Sequence, residues 1–159
     1  MIFVVVGTQK FQFNRLLKKI DDLIENGIIN DEVFAQVGNS DYRPQHYHYK
    51  QFIDKDEFEK IVDSCDILVT HSGVGTIISG INHDKPVIVC PRLKKYNEHV
   101  DDHQTEIAKT FSEMNYVLAC DENDDISLLL EKCKNHKFEK YSSQKDTTIK
   151  VINEFLNTF

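Results

Sequence analysis

The sequence predicts an α/β fold, a single Rossmann-like parallel sheet with helices on both faces. Three observations carry that expectation. Short apolar runs alternate with amphipathic helical segments along the chain. The first run, Ile2–Val6, is continuous and reads as a buried strand. Glycines, hydroxyls and polar residues gather where the apolar runs end, the place where such sheets bind ligands.

The elements follow in order. "MIFVVVG" lacks a basic leader and stops at Gly7, so it reads as a strand rather than a signal peptide. Phe11–Asn26 places Phe13, Leu16, Leu17, Ile20, Leu23 and Ile24 on one helical face. Val33–Val37 is the next strand. "NSDYRPQHYHYKQF" is a polar, aromatic loop leading to a short strand near His48–Phe52. Asp56–Ser64 is helical, with Asp54 or Asp56 as its cap. Ile67–Thr70 and Pro86–Cys90 are apolar strands, separated by a helix from about Val74 to Ile81. A long helix over Glu98–Met114, a strand at Tyr116–Ala119 and a helix at Ile126–Lys134 complete the alternation. The tail is expected to form a terminal helix over about 139–158, with Ile149, Val151, Ile152, Phe155, Leu156 and Phe159 in an apolar stripe. Residues 1–159 read as one domain, without repeat or linker.

Composition narrows the function classes. A chain 40% hydrophobic and 28% charged has the balance of a soluble globular protein, and no apolar run is long enough to cross a bilayer. A net charge of −7 argues against the broad basic face used for nucleic acid. Cys65, Cys90, Cys120 and Cys133 form no CxxC pair and read as reduced core thiols.

The chemistry sits in three loops: "GTQKF" after the first strand, "HSGVGT" after Val69 and "CPRLKKYNEHVDDHQ" after Val89. In the second, Gly73 and Gly75 let a ligand reach backbone N–H groups without meeting a Cβ. The following helix aims its unpaired N–H groups and positive dipole end at the same point. Ser72 and Thr76 add hydroxyl donors, and the set suits a diphosphate. The same loop, taken alone, is equally compatible with Ser72 capping the helix and the glycines making a tight turn. It is neither GxGxxG nor a Walker loop. In the third loop, helical spacing brings His99 and His103 to one face beside Gln104, a group able to bind several hydroxyls of a sugar. Arg92, Lys94 and Lys95 read as a solvated loop, or as charges that meet phosphate or an anionic membrane surface. "HYHY" (His46–Tyr49) shapes a loop or stacks on a base.

The stretches "FVVVGTQKFQFNRLL", "VFAQVGNSDY", "FIDKDEFEKIVDSCDILVTHSGVGTI" and "KPVIVCPRLKKYNEHVDDHQTEIAKTF" run in order over roughly residues 2–119. Together they resemble the carboxyl-terminal, donor-binding half of GT-B sugar-nucleotide transferases of glycosyltransferase family 28, the MurG-like group. Within it, the resemblance is to the stand-alone half-enzymes. These are the PssE/EpsF-type subunits of bacterial capsule and exopolysaccharide synthesis, and the catalytic subunit of the eukaryotic two-part UDP-GlcNAc transferase. The resemblance implies a UDP-sugar donor site. Gly7, Thr8, His71, Ser72, Gly73, Gly75 and Thr76 would hold the diphosphate, Phe52 and Ile53 the uracil, and His103 and Gln104 the sugar hydroxyls. One position departs: many relatives carry a Glu for the ribose hydroxyls where this chain has Ser79.

The resemblance further implies transfer of a hexose or N-acetylhexosamine to a polyprenyl-diphosphate-linked saccharide, with no cofactor. Glu98, His99, Asp101, Asp102 and His103 look like a metal cluster, but GT-B chemistry needs no metal. His71 is the catalytic candidate on this chain, and the general base would belong to a membrane-anchored, acceptor-binding partner of the PssD type. That partner would hold the chain at the inner, cytoplasmic face of the membrane. The tail stripe would dock on it or on a second copy of the chain, or pack on this chain's own sheet. A non-catalytic enhancer subunit is the alternative role. A UDP-sugar epimerase would need both GT-B domains in one chain.

Overall fold

The computed structural model describes residues 1–140. The expected terminal helix lies outside the described residues, apart from Glu139 and Lys140, which are non-helical. Six parallel strands, β1 (Ile2–Val5), β2 (Val33–Gln36), β3 (His48–Lys50), β4 (Ile67–Thr70), β5 (Val87–Val89) and β6 (Leu118–Ala119), form one sheet in the order β3-β2-β1-β4-β5-β6. The helices are α1 (Asn14–Glu25), α2 (Lys55–Ser64), α3 (Val74–Asn82), α4 (His103–Glu113) and α5 (Ile126–Asn135).

Both faces of the sheet are covered, which is why the strands are apolar without alternation. Val4, Val69 and Ile88 point to one face, where Leu17 and Ile20 of α1 and Leu130 of α5 close over them. Phe3, Val5, Leu68 and Val87 point to the other, against Val62 of α2, Ile77 of α3 and Phe111 of α4. All four cysteines are free and buried.

Strand order reverses between β1 and β4. The chain leaves β1 toward β2 and leaves β4 toward β5, so the loops at their carboxyl ends part and open a crevice. The register sets Val5 of β1 beside Thr70 of β4, and Thr70 beside Val89 of β5. The loops expected to carry chemistry therefore emerge side by side.

Two helix starts differ from the sequence reading, for one reason: side chains at this edge take up backbone N–H groups. Helix α1 begins at Asn14 rather than Phe11, because Phe13 N–H donates to Ser40 Oγ (2.9 Å) and Asn14 N–H to Gln12 Oε1 (2.8 Å). Helix α4 begins at His103 rather than Glu98. Before it, Lys94–Tyr96 form a 3-10 turn, Asn97 is left-handed at φ 57°, and His103 N–H donates to Asp101 Oδ1 (3.0 Å). Asp54, not Asp56, caps α2 by accepting from Glu57 N–H (2.9 Å). No helix among the described residues is long and apolar enough to cross a membrane.

Candidate functional site

A concave site of about 430 Å³ opens at the β1–β4 crevice. The loop after β1 contributes Gly7, Thr8 and Gln9; the turn after β4 contributes His71, Gly73, Gly75 and Thr76; Ile53, just before α2, and Lys55 and Phe58 of α2 wall it. Seven of the eleven residues expected from the sequence thus share one cavity: Gly7, Thr8, Ile53, His71, Gly73, Gly75 and Thr76. Ser72, Phe52, His103 and Gln104 are not part of that lining.

His71 organises the turn. Its ring lies between two glycines: a Cβ on Gly7 would stand 2.3 Å from Nε2, and one on Gly73 would stand 2.0 Å from Cε1. Gly7 is also left-handed, at φ 84°. The imidazole is only 8% exposed, and neither ring nitrogen has a hydrogen-bond partner. Burial, with the charges of Arg92 and His99, pushes its pKa down to about 3, so the ring is neutral and offers one N–H and one lone pair.

Thr70 Oγ1 and Ser72 Oγ are likewise buried and unpartnered. Gly73 is the N-cap of α3 with no side-chain cap bond, so Ser72 does not cap the helix. Ile77 N–H is the first to find a helical acceptor, at Gly73 O, and the Val74, Gly75 and Thr76 N–H groups have none within the helix. Gly73 and Gly75 are not left-handed. A Cβ on Gly75 would meet nothing within 4 Å, so that glycine leaves open space beside the helix end.

The other expected residues are placed differently. Gln104 is buried, and its Oε1 accepts from Ser72 N–H (3.2 Å) and Arg92 N–H (3.0 Å), bracketing the β4 and β5 loops together. His103 is half exposed, its Nδ1 3.3 Å from Asp101 Oδ2, and His99 Nδ1 lies 3.1 Å from Asp101 Oδ1. Phe52 is exposed at the rim, next to Ile53. Among the described residues no group of three or more His, Cys, Asp or Glu is arranged to hold a metal ion. His46 and Tyr47 shape their loop: His46 N–H donates to Asp21 Oδ1 (2.8 Å) and Tyr47 OH to Leu17 O (2.9 Å).

Arg92 is not a solvated loop residue, and Glu98, which the sequence puts in a metal-like cluster at the start of a helix, is instead tied to an arginine. Arg92 is 1% exposed, and its guanidinium donates to the carbonyls of Phe11 (3.0 Å), Gln12 (3.1 Å) and Glu98 (3.1 Å) and to that of Val6. Glu98 is fully buried and takes both arms of Arg15, Nε at 2.9 Å and an Nη at 3.0 Å. Lys95 stays at the surface on Glu122. Glu59 of α2 has no sequence signal at all. The Ser79 hydroxyl donates to both its carboxylate oxygens at 3.2 Å, and His83 Nε2 lies 3.5 Å away. A carboxylate thus stands beside position 79, brought by a neighbouring helix.

The family model of the glycosyltransferase family 28 C-terminal domain matches residues 1–156. The UDP-N-acetylglucosamine transferase subunit ALG13 of Candida albicans is 32% identical over 89 residues, covering 56% of this chain and 27% of that protein. The subunit of the same name from Saccharomyces cerevisiae is 37% identical over 60 residues, covering 38% of this chain and 28% of that protein. The aligned part therefore spans little more than a quarter of either relative. Among solved structures, an NMR solution structure of ALG13 superposes with a TM-score of 0.58 at 18% identity, over 95% of this chain and 93% of that one. The crystal structure of Acinetobacter baumannii MurG superposes with a TM-score of 0.58 at 15% identity, over 85% of this chain and 41% of that one. At those identities the likeness concerns the fold.

Proposed function

The chain belongs to the glycosyltransferase family 28 C-terminal domain family, and from that premise we propose that it is the donor-binding, catalytic half of a two-part glycosyltransferase. Its donor is a UDP-sugar, a UDP-hexose or UDP-N-acetylhexosamine. The relatives named as UDP-N-acetylglucosamine transferase subunits favour N-acetylglucosamine as the sugar.

One observation carries the reading. Among the described residues, all five buried side-chain polar atoms without partners, on Thr70, His71, Ser72 and Arg92, gather at the β4–α3 turn and the loop bracketed to it. Orphaned buried polar groups are costly, and here they stand beside the free N–H groups of a helix end. A diphosphate in the cavity meets the free N–H groups and His71, the orphaned residue that lines it, with the buried Thr70, Ser72 and Arg92 groups behind.

The reaction follows from that placement. An acceptor hydroxyl forms a bond to the sugar's anomeric carbon, the bond from that carbon to the diphosphate oxygen breaks, and UDP leaves with the negative charge. The α3 N–H groups and the hydroxyl of Thr76 meet that charge, and His71 adds an N–H. No metal is needed for this step. Ile53 and Phe52 stand on the side of the uracil. Glu59, drawn in by Ser79, accepts the ribose hydroxyls. His103 and the amide nitrogen of Gln104 serve the sugar.

The acceptor hydroxyl's proton goes to a base on a second, membrane-anchored subunit. That subunit presents a polyprenyl-diphosphate-linked saccharide, as in exopolysaccharide or capsule synthesis, and brings this chain to the inner face of the membrane. The relatives' names, each a transferase "subunit", support a two-part enzyme.

Calorimetry with UDP and UDP-N-acetylglucosamine, with and without EDTA, tests the donor site. Binding that survives EDTA is the expected result. A signal that requires divalent metal would move the site to the His99–Asp101–His103 group, and no uridine-nucleotide binding, even beside an acceptor-binding subunit, would overturn the proposal.

A further inference from the structure

We propose that Arg92 holds a buried, surplus positive charge beneath the diphosphate site and acts as the positioning residue that fixes the loops around it; this rests on the donor-site reading above.

The inference begins with charge. Arg15, Glu98 and Arg92 form one network of two guanidiniums and one carboxylate, in which Glu98 and Arg92 are buried and Arg15 is partly exposed. That carboxylate is committed: Oε1 and Oε2 take Arg15, and Oε2 also takes Leu93 N–H at 2.8 Å. Arg92 donates its hydrogen bonds to backbone carbonyls and lies over the Phe13 ring, 5.2 Å from its centroid, and its Nε has no partner. The network therefore carries one positive charge in excess, with Arg92 itself shut away from water, in a chain whose net charge is −7. Carbonyl dipoles, the Phe13 ring and the field of Glu98 offset part of the cost of burying this cation, and an anion from outside the chain would complete the compensation.

Its position says where that anion sits. Val6, one of its acceptors, immediately precedes Gly7 of the cavity wall. Arg92 N–H shares Gln104 Oε1 with Ser72 N–H, which ties the arginine to the glycine turn. The guanidinium also lowers the pKa of His71, so its field is felt at the imidazole lining the site. By holding the carbonyls of Val6, Phe11, Gln12 and Glu98, it joins the loops after β1 and β5 into one wall. Burial limits screening by salt, so the charge acts on a bound phosphate more strongly than a surface lysine would.

A charge effect and a packing effect separate by comparing ligands of unequal charge. UMP and UDP titrations are made on the wild type and on Arg92→Met, Arg92→Lys and Glu98→Gln, with the fold of each checked by circular dichroism. Arg92→Met is expected to weaken UDP at least tenfold and to shrink its preference over UMP. Arg92→Lys keeps the charge and loses the fork, so both ligands weaken while the preference is retained. Glu98→Gln adds net positive charge, and the preference for UDP widens. Should Arg92→Met fail to fold, the Lys and Gln variants still decide. An unchanged UDP-to-UMP preference in Glu98→Gln and any folded Arg92→Met would overturn the role of Arg92 while leaving the donor site standing. A wild type that binds neither nucleotide would overturn the donor site itself.

Discussion

His71 concentrates the physics of the site in one side chain. Two glycines make room for it, burial and two nearby positive groups keep it neutral, and both its nitrogens lack partners. Its ordinary pKa is near 6.5 and its folded value about 3, so between those limits the unfolded chain binds the extra proton. Stability is then present in full above about pH 6.5 and is lost as pH falls toward 3. The slope from this group approaches about 1.4 kcal/mol per pH unit within that window. His71→Gln removes it, so urea midpoints measured from pH 4 to pH 7 should vary less in the variant than in the wild type. Parallel profiles would show that the imidazole is not held neutral in the fold. Glu59 makes a second residue-scale prediction. Charge-assisted hydrogen bonds contribute about 1.5–3 kcal/mol, so Glu59→Gln should weaken UDP roughly tenfold. The loss should largely vanish with 2′-deoxy-UDP, which lacks a ribose hydroxyl; an equal loss for both ligands would remove Glu59 from the ribose.

Helix α3 carries the donor end of the site, and its glycines have opposite jobs. Gly73 makes space for the His71 ring, whereas a Cβ on Gly75 points into open space. Gly75→Ala should therefore stabilise the fold, by up to about 0.5–1 kcal/mol as expected for removing a helical glycine, while weakening UDP binding. Gly73→Ala should do the reverse to stability, because the methyl displaces the imidazole. Thermal melts and UDP titrations on the same samples decide it, and unchanged UDP affinity in Gly75→Ala would mean the turn does not face a ligand. The elements themselves were mostly legible in the sequence. Strands and helices follow hydrophobic period and length, and the glycine turn is a local pattern, so His71, Gly73, Gly75 and Thr76 were found together with Gly7 and Thr8. What escaped the sequence is long-range. The starts of α1 and α4 shift because Ser40, Gln12 and Asp101 side chains take the N–H groups there. Arg92 looks like a loop cation, and Glu98 like one of a metal-like cluster, until Arg15, Val6 and Phe11 arrive from the other end of the chain. Glu59 meets Ser79 only across two helices. Gln104 was visible as a residue, but its task of bracketing two loops was not.

For the whole molecule, the decisive feature is that the two edges of the sheet differ. The carboxyl edge holds the switch-point cavity and the orphaned polar atoms. The amino edge also has a concavity, about 340 Å³, lined by Met1, Ile2, Asp66, Ile67, Pro86 and Lys134. There Asp66 is already paired with the chain's terminal amine, and among the described residues no buried unpartnered side-chain atom faces it. Size alone would not choose between the two; unmet hydrogen bonds and the helix end do. A ligand that binds only the native state adds about 2.7 kcal/mol at a hundredfold excess over its Kd, and the added protection appears first where the ligand touches. Hydrogen exchange with saturating UDP should then slow residues 6–13, 53–59 and 71–79, which wall the cavity, and residues 90–104, which Arg92 and Gln104 tie to it. Residues 1–2, 64–67 and 84–87 at the amino edge should change only by the global increment. Protection centred on the amino edge would place the nucleotide in the wrong crevice and remove the donor-site reading. With an acceptor-binding subunit present, further slowing at the exposed apolar residues Phe52, Tyr96 and Val100 would mark the face from which the acceptor enters.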